Sequence, residues 1–393
     1  MNNSISFKII KIKDLLISLL IIMLFLMLII FSNSSFYCAR KGIELFLYNV
    51  VPSIFPFLVL SNILINSNIL NIIQKLFNPI IKKIFNLPGI ASISIVLGLV
   101  SGYPIGAKIT ADLYSKNLIN KEEAERLLAF TNNSGPLFII SFVGISLFND
   151  TKTGVLLLFT HIISAILIGI ILGILSRKKN IRLDDFNISE NTSNLSFSEI
   201  IVNSVKNSVN TILTIGGFII FFSVIISILS SGHFFYFITK PFEYIFSLLG
   251  ISSNLLIPIF QGIIELTNGI SFVANTNLPY IYIVSACAFL LGFGGLSIYM
   301  QLHAVIINTN LSTKKYLLCK LFHGILASIF TYLLIKYTPF FNLDALPTYT
   351  KPVTNMQTVI QANELNLFLD IISLCFIFCV FWKMYELNKE KSK

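Results

Sequence analysis

The apolar residues of this chain fall into long runs separated by short polar or basic stretches, the pattern of a protein that crosses a membrane many times. Leu15 to Phe31 forms the first run, and Leu45 to Ile65 the second, with Pro52 and Pro56 placed to bend it. Leu137–Phe148, Gly154–Leu175, Ile200–Leu229, Tyr280–Ile307, Leu321–Ile335 and Leu367–Trp382 follow. Two stretches carry Lys among Ile, Leu and Phe at helical spacing, residues 69–88 and 234–249, and these predict helices lying in the membrane interface.

Two further apolar segments are broken in the middle. In residues 89–117 the run Ile90 to Val100 meets Ser101-Gly102-Tyr103-Pro104-Ile105-Gly106, then resumes with Lys108 in it. Glycine permits positive φ, and Pro104 disfavours helical geometry at Tyr103, so one straight helix is excluded. Each arm of about ten residues spans roughly 15 Å, half of a roughly 30 Å hydrocarbon core. The segment therefore predicts a re-entrant hairpin with its tip near the midplane. Residues 252–277, interrupted at Gln261-Gly262 and Glu265-Leu266-Thr267-Asn268-Gly269, predict a second one.

The two breaks share a spacing. Gly102 and Gly135 are 33 residues apart, as are Gly262 and Gly295, and the second pair lies 160 residues after the first. Pro79 with Pro241, and His161 with His323, are each offset by 162. The order of elements repeats too, and three crossings per half require the second copy to be inverted. The expected fold is an all-α polytopic membrane protein with about eight transmembrane helices and two re-entrant hairpins in an inverted repeat. Its parts are an anchor span (1–40), a first repeat (41–182), a polar linker (183–199), a second repeat (200–338), and an external loop, last span and tail (339–393).

Composition agrees: 55% of the 393 residues are hydrophobic and 12% charged, with a mean hydropathy of +0.83. A soluble globular class is excluded. The net charge of +10 sits in loops, so it reads as positive-inside topology with both termini cytoplasmic, and nucleic acid is not an expected partner. The basic residues Lys8, Lys11 and Lys13 before the first run resemble a signal peptide, but the run is long and lacks a small-x-small site, so a retained span is expected. Lys314, Lys315 and Lys320 mark another cytoplasmic end, and the charge run of residues 121–126 reads as a solvated helix face. The five cysteines form no C-x-x-C, and no cofactor or metal is expected.

Candidate chemistry lies inside the predicted membrane segments. Lys108 and Glu265 each cost roughly 2.5–3.5 kcal/mol at a helix centre unless partnered or hydrated. One reading has both lining a cargo cavity; the other has them pairing with each other, or Lys108 reaching the surface. Asn133, Ser134, Thr267, Asn268 and Ser297 would complete a polar ring, with Asp112 a weaker candidate. The turn Thr131 to Pro136 leaves free N–H groups at a helix start, a surface suited to anions. The three histidines of the apolar helices, His161, His303 and His323, read as packed and hydrogen-bonded side chains. No nucleophile and base arrangement is visible, so an enzyme is not expected.

The motifs Ser101-Gly102-Tyr103-Pro104-Ile105-Gly106-Ala107-Lys108 and Asn132-Asn133-Ser134-Gly135-Pro136 closely resemble those of YlbJ-type sporulation integral membrane proteins. That family carries a nucleoside-recognition or gate domain related to concentrative nucleoside transporters. The resemblance runs from about residue 40 to 340 and implies transport of dipicolinic acid across the outer forespore membrane. Matched by position, it implies binding roles for Ser101 to Lys108, including Gly102 and Tyr103, for Asn133, Ser134 and Gly135, and for Glu265 to Asn268. A cation-coupled nucleoside carrier and a non-transporting scaffold are the alternatives, and a homo-oligomer is compatible with each.

Overall fold

The computed structural model describes residues 2–65, 69–177, 196–231, 234–248 and 250–338. The predicted eighth span (367–382), the loop and tail around it and most of the 183–199 linker lie outside these. Among the described residues every regular element is helical. Four helices are long and apolar enough to cross a membrane: Thr151–Arg177, Phe197–Ser231, Tyr280–Ile306 and Lys314–Tyr337. A bent pair, Ile17–Ile30 with Ser32–Val50 at 93°, forms a fifth candidate. The chain is an integral, multi-pass membrane protein.

The first helix, α1 (Asn2–Ile30), is followed by α2 (Ser32–Leu45), a π-helical turn (Phe46–Val50) and α3 (Val51–Ile65). The predicted second run thus starts one helix earlier than its apolar stretch. Another π-helical segment, Phe138–Leu147, replaces the predicted span at 137–148. Both π segments lie within two residues of a proline, Pro52 and Pro136, whose missing N–H breaks the regular ladder. At ten residues the second is too short to cross alone. It doubles back on α8 (Thr151–Arg177), where a Cβ added to Gly144 would lie 2.6 Å from the Gly154 Cα.

The helix expected at the interface is α4 (Ile69–Phe85), and the first hairpin is α5 (Ala91–Ser101) with α6 (Ile105–Ser115). Helix α7 (Lys121–Thr131) starts with Asn120 and Glu123 exchanging side-chain bonds to each other's backbone N–H. Lys121 is exposed, but Glu123, Glu125 and Arg126 are buried rather than on a solvated face. Glu125 accepts from Ser312 N–H and pairs with Lys315 at 3.5 Å, while Arg126 donates to the Asn86 carbonyl and the Ser176 hydroxyl. The helix is buried because it packs between α8 and the last described helix, so its polar groups answer neighbours rather than water.

In the second half come α9 (Phe197–Ser231), α10 (Phe234–Leu248), and the second hairpin, α11 (Leu256–Ile264) with α12 (Leu266–Ala274). The span that follows is broken into α13 (Tyr280–Phe293) and α14 (Gly295–Ile306), and α15 (Lys314–Tyr337) closes the described chain. Apolar association adds little between helices in lipid, so close contact depends on small residues. Gly292 of α13 faces Gly324 of α15, with an added Cβ falling 2.7 Å from the neighbouring Cα.

Candidate functional site

The first hairpin closes because its arms touch backbone to backbone. A Cβ on Gly98 or on Gly106 would lie 3.2 Å from the other's Cα and 2.2 Å from the Thr131 carbonyl oxygen. Ser94 Oγ joins the arms, 2.7 Å from Thr110 Oγ1 and 3.1 Å from the Gly106 carbonyl. At the tip Gly102 has φ +83°, a conformation that favours glycine, and a Cβ there would lie 2.7 Å from Gly135 N. The Tyr103–Pro104 peptide bond is cis, and α6 begins at Ile105 without a side-chain cap.

The second hairpin repeats the closure with different chemistry. A Cβ on Gly269 would lie 1.9 Å from the Gly262 Cα, and Gly295 sits on the Gly262 carbonyl oxygen at 2.8 Å by the same measure. The Gly102–Gly135 and Gly262–Gly295 pairs, equally spaced in the sequence, are thus both contacts between a hairpin and a broken helix. Glu265, extended between α11 and α12, accepts from Thr267 N–H (3.1 Å), Asn268 N–H (2.7 Å) and Asn268 Nδ2 (2.9 Å). Asn268 Nδ2 also reaches Ser223 Oγ of α9 at 2.7 Å. The carboxylate caps its own helix, and no ion pair joins it to Lys108 among the described residues.

Both tips border one cavity. Its wall includes Ser101, Gly102 and Tyr103 from the first tip, Ser134, Gly135 and Phe138 from the break before the π-helical segment, Glu265 and Thr267 from the second tip, and Gln301 from α14. Its volume is about 40 Å³, room for about three waters at the roughly 10–15 Å³ each requires.

Seven of the sequence-predicted site residues therefore share this cavity: Ser101, Gly102, Tyr103, Ser134, Gly135, Glu265 and Thr267. Asn133 and Asn268 are buried without lining it, bonded to Phe130 and Ser223 respectively. Ser297 is fully buried with no partner for its hydroxyl, away from the cavity wall. Lys108 is half-buried on α6 and does not line the cavity, and Asp112, one turn on, is exposed.

Sequence reasoning missed a polar cluster behind Tyr103. Lys320, read as a cytoplasmic marker, is 1% exposed inside α15. Its Nζ donates to the Asn132 carbonyl (3.0 Å), Asn133 Oδ1 (3.3 Å) and His323 Nδ1 (3.2 Å), and lies 5.4 Å from the Tyr103 ring centre. A carbonyl oxygen only accepts, so His323 carries a proton on Nε2, which donates to the His161 carbonyl at 2.9 Å. His161 Nε2 accepts from Ser134 N–H at 3.3 Å, and the two imidazoles lie 4.5 Å apart. A signal was present: Tyr316, Lys320, His323, Ala327 and Thr331 form one helical stripe, and all are buried. Tyr103 Oη donates to the Leu291 carbonyl at 3.2 Å, fixing the first tip to the broken span of the second half.

Residues 47–178 match the family described as "Gate: Nucleoside recognition". Over 341 residues the chain is 31% identical to the "Sporulation integral membrane protein YlbJ" of Bacillus subtilis (strain 168), covering 83% of this chain and 84% of that protein. The chain belongs to the YlbJ family. An alignment of that extent takes in both hairpins, whereas the gate match ends with α8 and holds the first half of the cavity wall. No solved structure matches the chain.

Proposed function

We propose that this YlbJ-family protein is a secondary transporter whose cargo is a small polar anion, with dipicolinic acid of the sporulating cell as the specific candidate. The observation that carries the reading is the single cavity walled by two hairpin tips and two glycine-broken helices. Irregular backbone at membrane depth is tolerated only where protein or an aqueous cavity covers it, and discontinuous helices meeting at the midplane are a transporter layout. In this reading residues 41–182 and 200–338 are two inverted repeats within eight crossings. The hairpins enter from opposite faces, both termini are cytoplasmic, and the membrane is the outer forespore membrane. The name of the Bacillus subtilis relative supports the sporulation setting.

In this reading cargo enters and leaves the cavity as the two tips move apart. A nucleoside is the second reading, favoured by the match to a family described by nucleoside recognition. Purified protein in lipid vesicles is expected to take up labelled dipicolinate above empty vesicles and above labelled uridine. Uridine uptake alone moves the assignment to a nucleoside carrier. Uptake of neither leaves the scaffold reading.

A further inference from the structure

The fixed charge for an anionic cargo is expected at Lys108, but that residue stands off the cavity wall. Lys320 lies 5.4 Å from the ring centre of Tyr103, which forms part of that wall. Its three bonds go to a carbonyl, an amide oxygen and an imidazole nitrogen, and among the described residues no carboxylate pairs with it. With its proton on, Lys320 would hold a positive charge that no described carboxylate cancels, and so an outward positive potential in a low-dielectric interior.

The hairpins differ in how their helix starts are answered. Glu265 occupies the N–H groups at the start of α12 with a resident carboxylate. At the first tip no side chain caps α6, and the cavity is bordered by the turn before it, Ser101 to Tyr103, and by Ser134 and Gly135. Gln301 of α14 is 3% exposed and lines the cavity, and among the described residues its Oε1 has no donor. An amide oxygen only accepts, so it suits a donor group of a cargo and not a carboxylate.

We propose that Lys320, protonated behind the Tyr103 wall, is the charge that selects an anionic cargo, and that the cargo carboxylate binds on the first-tip side of the cavity near Ser134 and Gly135. The inference rests on the transporter reading and adds the residues that set its charge selectivity. Glu265, as the resident anion of the second tip, keeps a carboxylate from binding there and directs it to the first.

The test measures vesicle uptake of pyridine-2,6-dicarboxylate and of its uncharged diamide. Wild type is expected to prefer the diacid. In Lys320→Gln that preference falls about tenfold or more, the scale of a lost interaction with a charged group, and Lys320→Arg restores most of it. Should Lys320→Gln not fold, Asn133→Asp places a carboxylate against Lys320 Nζ, neutralises it in position, and is expected to remove the preference too. A folded Lys320→Gln or Asn133→Asp protein with the wild-type preference overturns the inference while leaving transport intact. A wild type that carries uridine and neither pyridine compound overturns the anion reading itself.

Discussion

Gly269→Ala is expected to destabilise the protein by about 3 kcal/mol or more, at the upper end of what overpacking costs. The new methyl would sit 1.9 Å from the Gly262 Cα and 2.5 Å from Gly262 N. Both obstacles are backbone, so neither can rotate away. Retreat of α12 is opposed at its start, where Glu265 pins the Thr267 and Asn268 N–H groups. Relief by retreat of α11 would pull Gly262 from Gly295 and open the contact between hairpin and broken span. Gly217→Ala in α9 is the control, since nothing lies within 4 Å of its added Cβ. At an open helical position that exchange is stabilising by about 0.4–1 kcal/mol. Thermal unfolding in detergent and the amount of protein recovered from membranes compare the two; equal behaviour would contradict the account of hairpin closure.

Glu265→Leu is expected to cost about 3 kcal/mol, and Glu265→Gln about 1 kcal/mol, from the price of unpaired buried donors and a lost cap. Leucine has similar bulk but leaves Thr267 N–H, Asn268 N–H and Asn268 Nδ2 without their acceptor. Water cannot replace it readily, because the carboxylate is 1% exposed. Glutamine keeps one oxygen to accept from the helix start and turns an NH₂ toward the Asn268 amide, so part of the cap survives. The order wild type, Gln, Leu in unfolding temperature is the expected result. A leucine variant as stable as wild type would show that the capping geometry contributes nothing.

Much of the fold was legible because lipid imposes simple rules. Apolar runs predicted the helices around α8, α9, α13 with α14, and α15, and glycine or proline marked the breaks of the two hairpins, while the 93° bend after Ile30 carries neither. The repeated interval of 33 residues had a physical cause: each glycine pair is a place where a hairpin and a broken helix touch. The cavity wall was legible for the same reason, since glycine and small polar residues stay near the tips that need them.

What was not legible depended on neighbours far along the chain. Lys320 lies close in sequence to Lys314 and Lys315, and counting charges per loop merged it with them. Only its helical register, in line with Tyr316 and His323, separates it from the surface residues. The charges of α7 resembled a solvated face because their partners, Asn86, Ser176, Ser312 and Lys315, come from other elements. Lys108 drew attention as a cation near a tip, yet α6 turns it away from the cavity while the cation behind Tyr103 arrives on α15. The apolar run at 137–148 was legible, but its π-helical form was not, since that depends on the Pro136 break and on the Gly144–Gly154 contact with α8.

The most direct measurement joins the two tips chemically. In a protein with its five native cysteines replaced, Ser101→Cys and Thr267→Cys are treated with a short bifunctional maleimide in native membranes. The account predicts an intramolecular cross-link between the tips and arrest of uptake once it has formed. Two cysteines that each react singly but never join, with transport unaffected, would contradict a shared chamber.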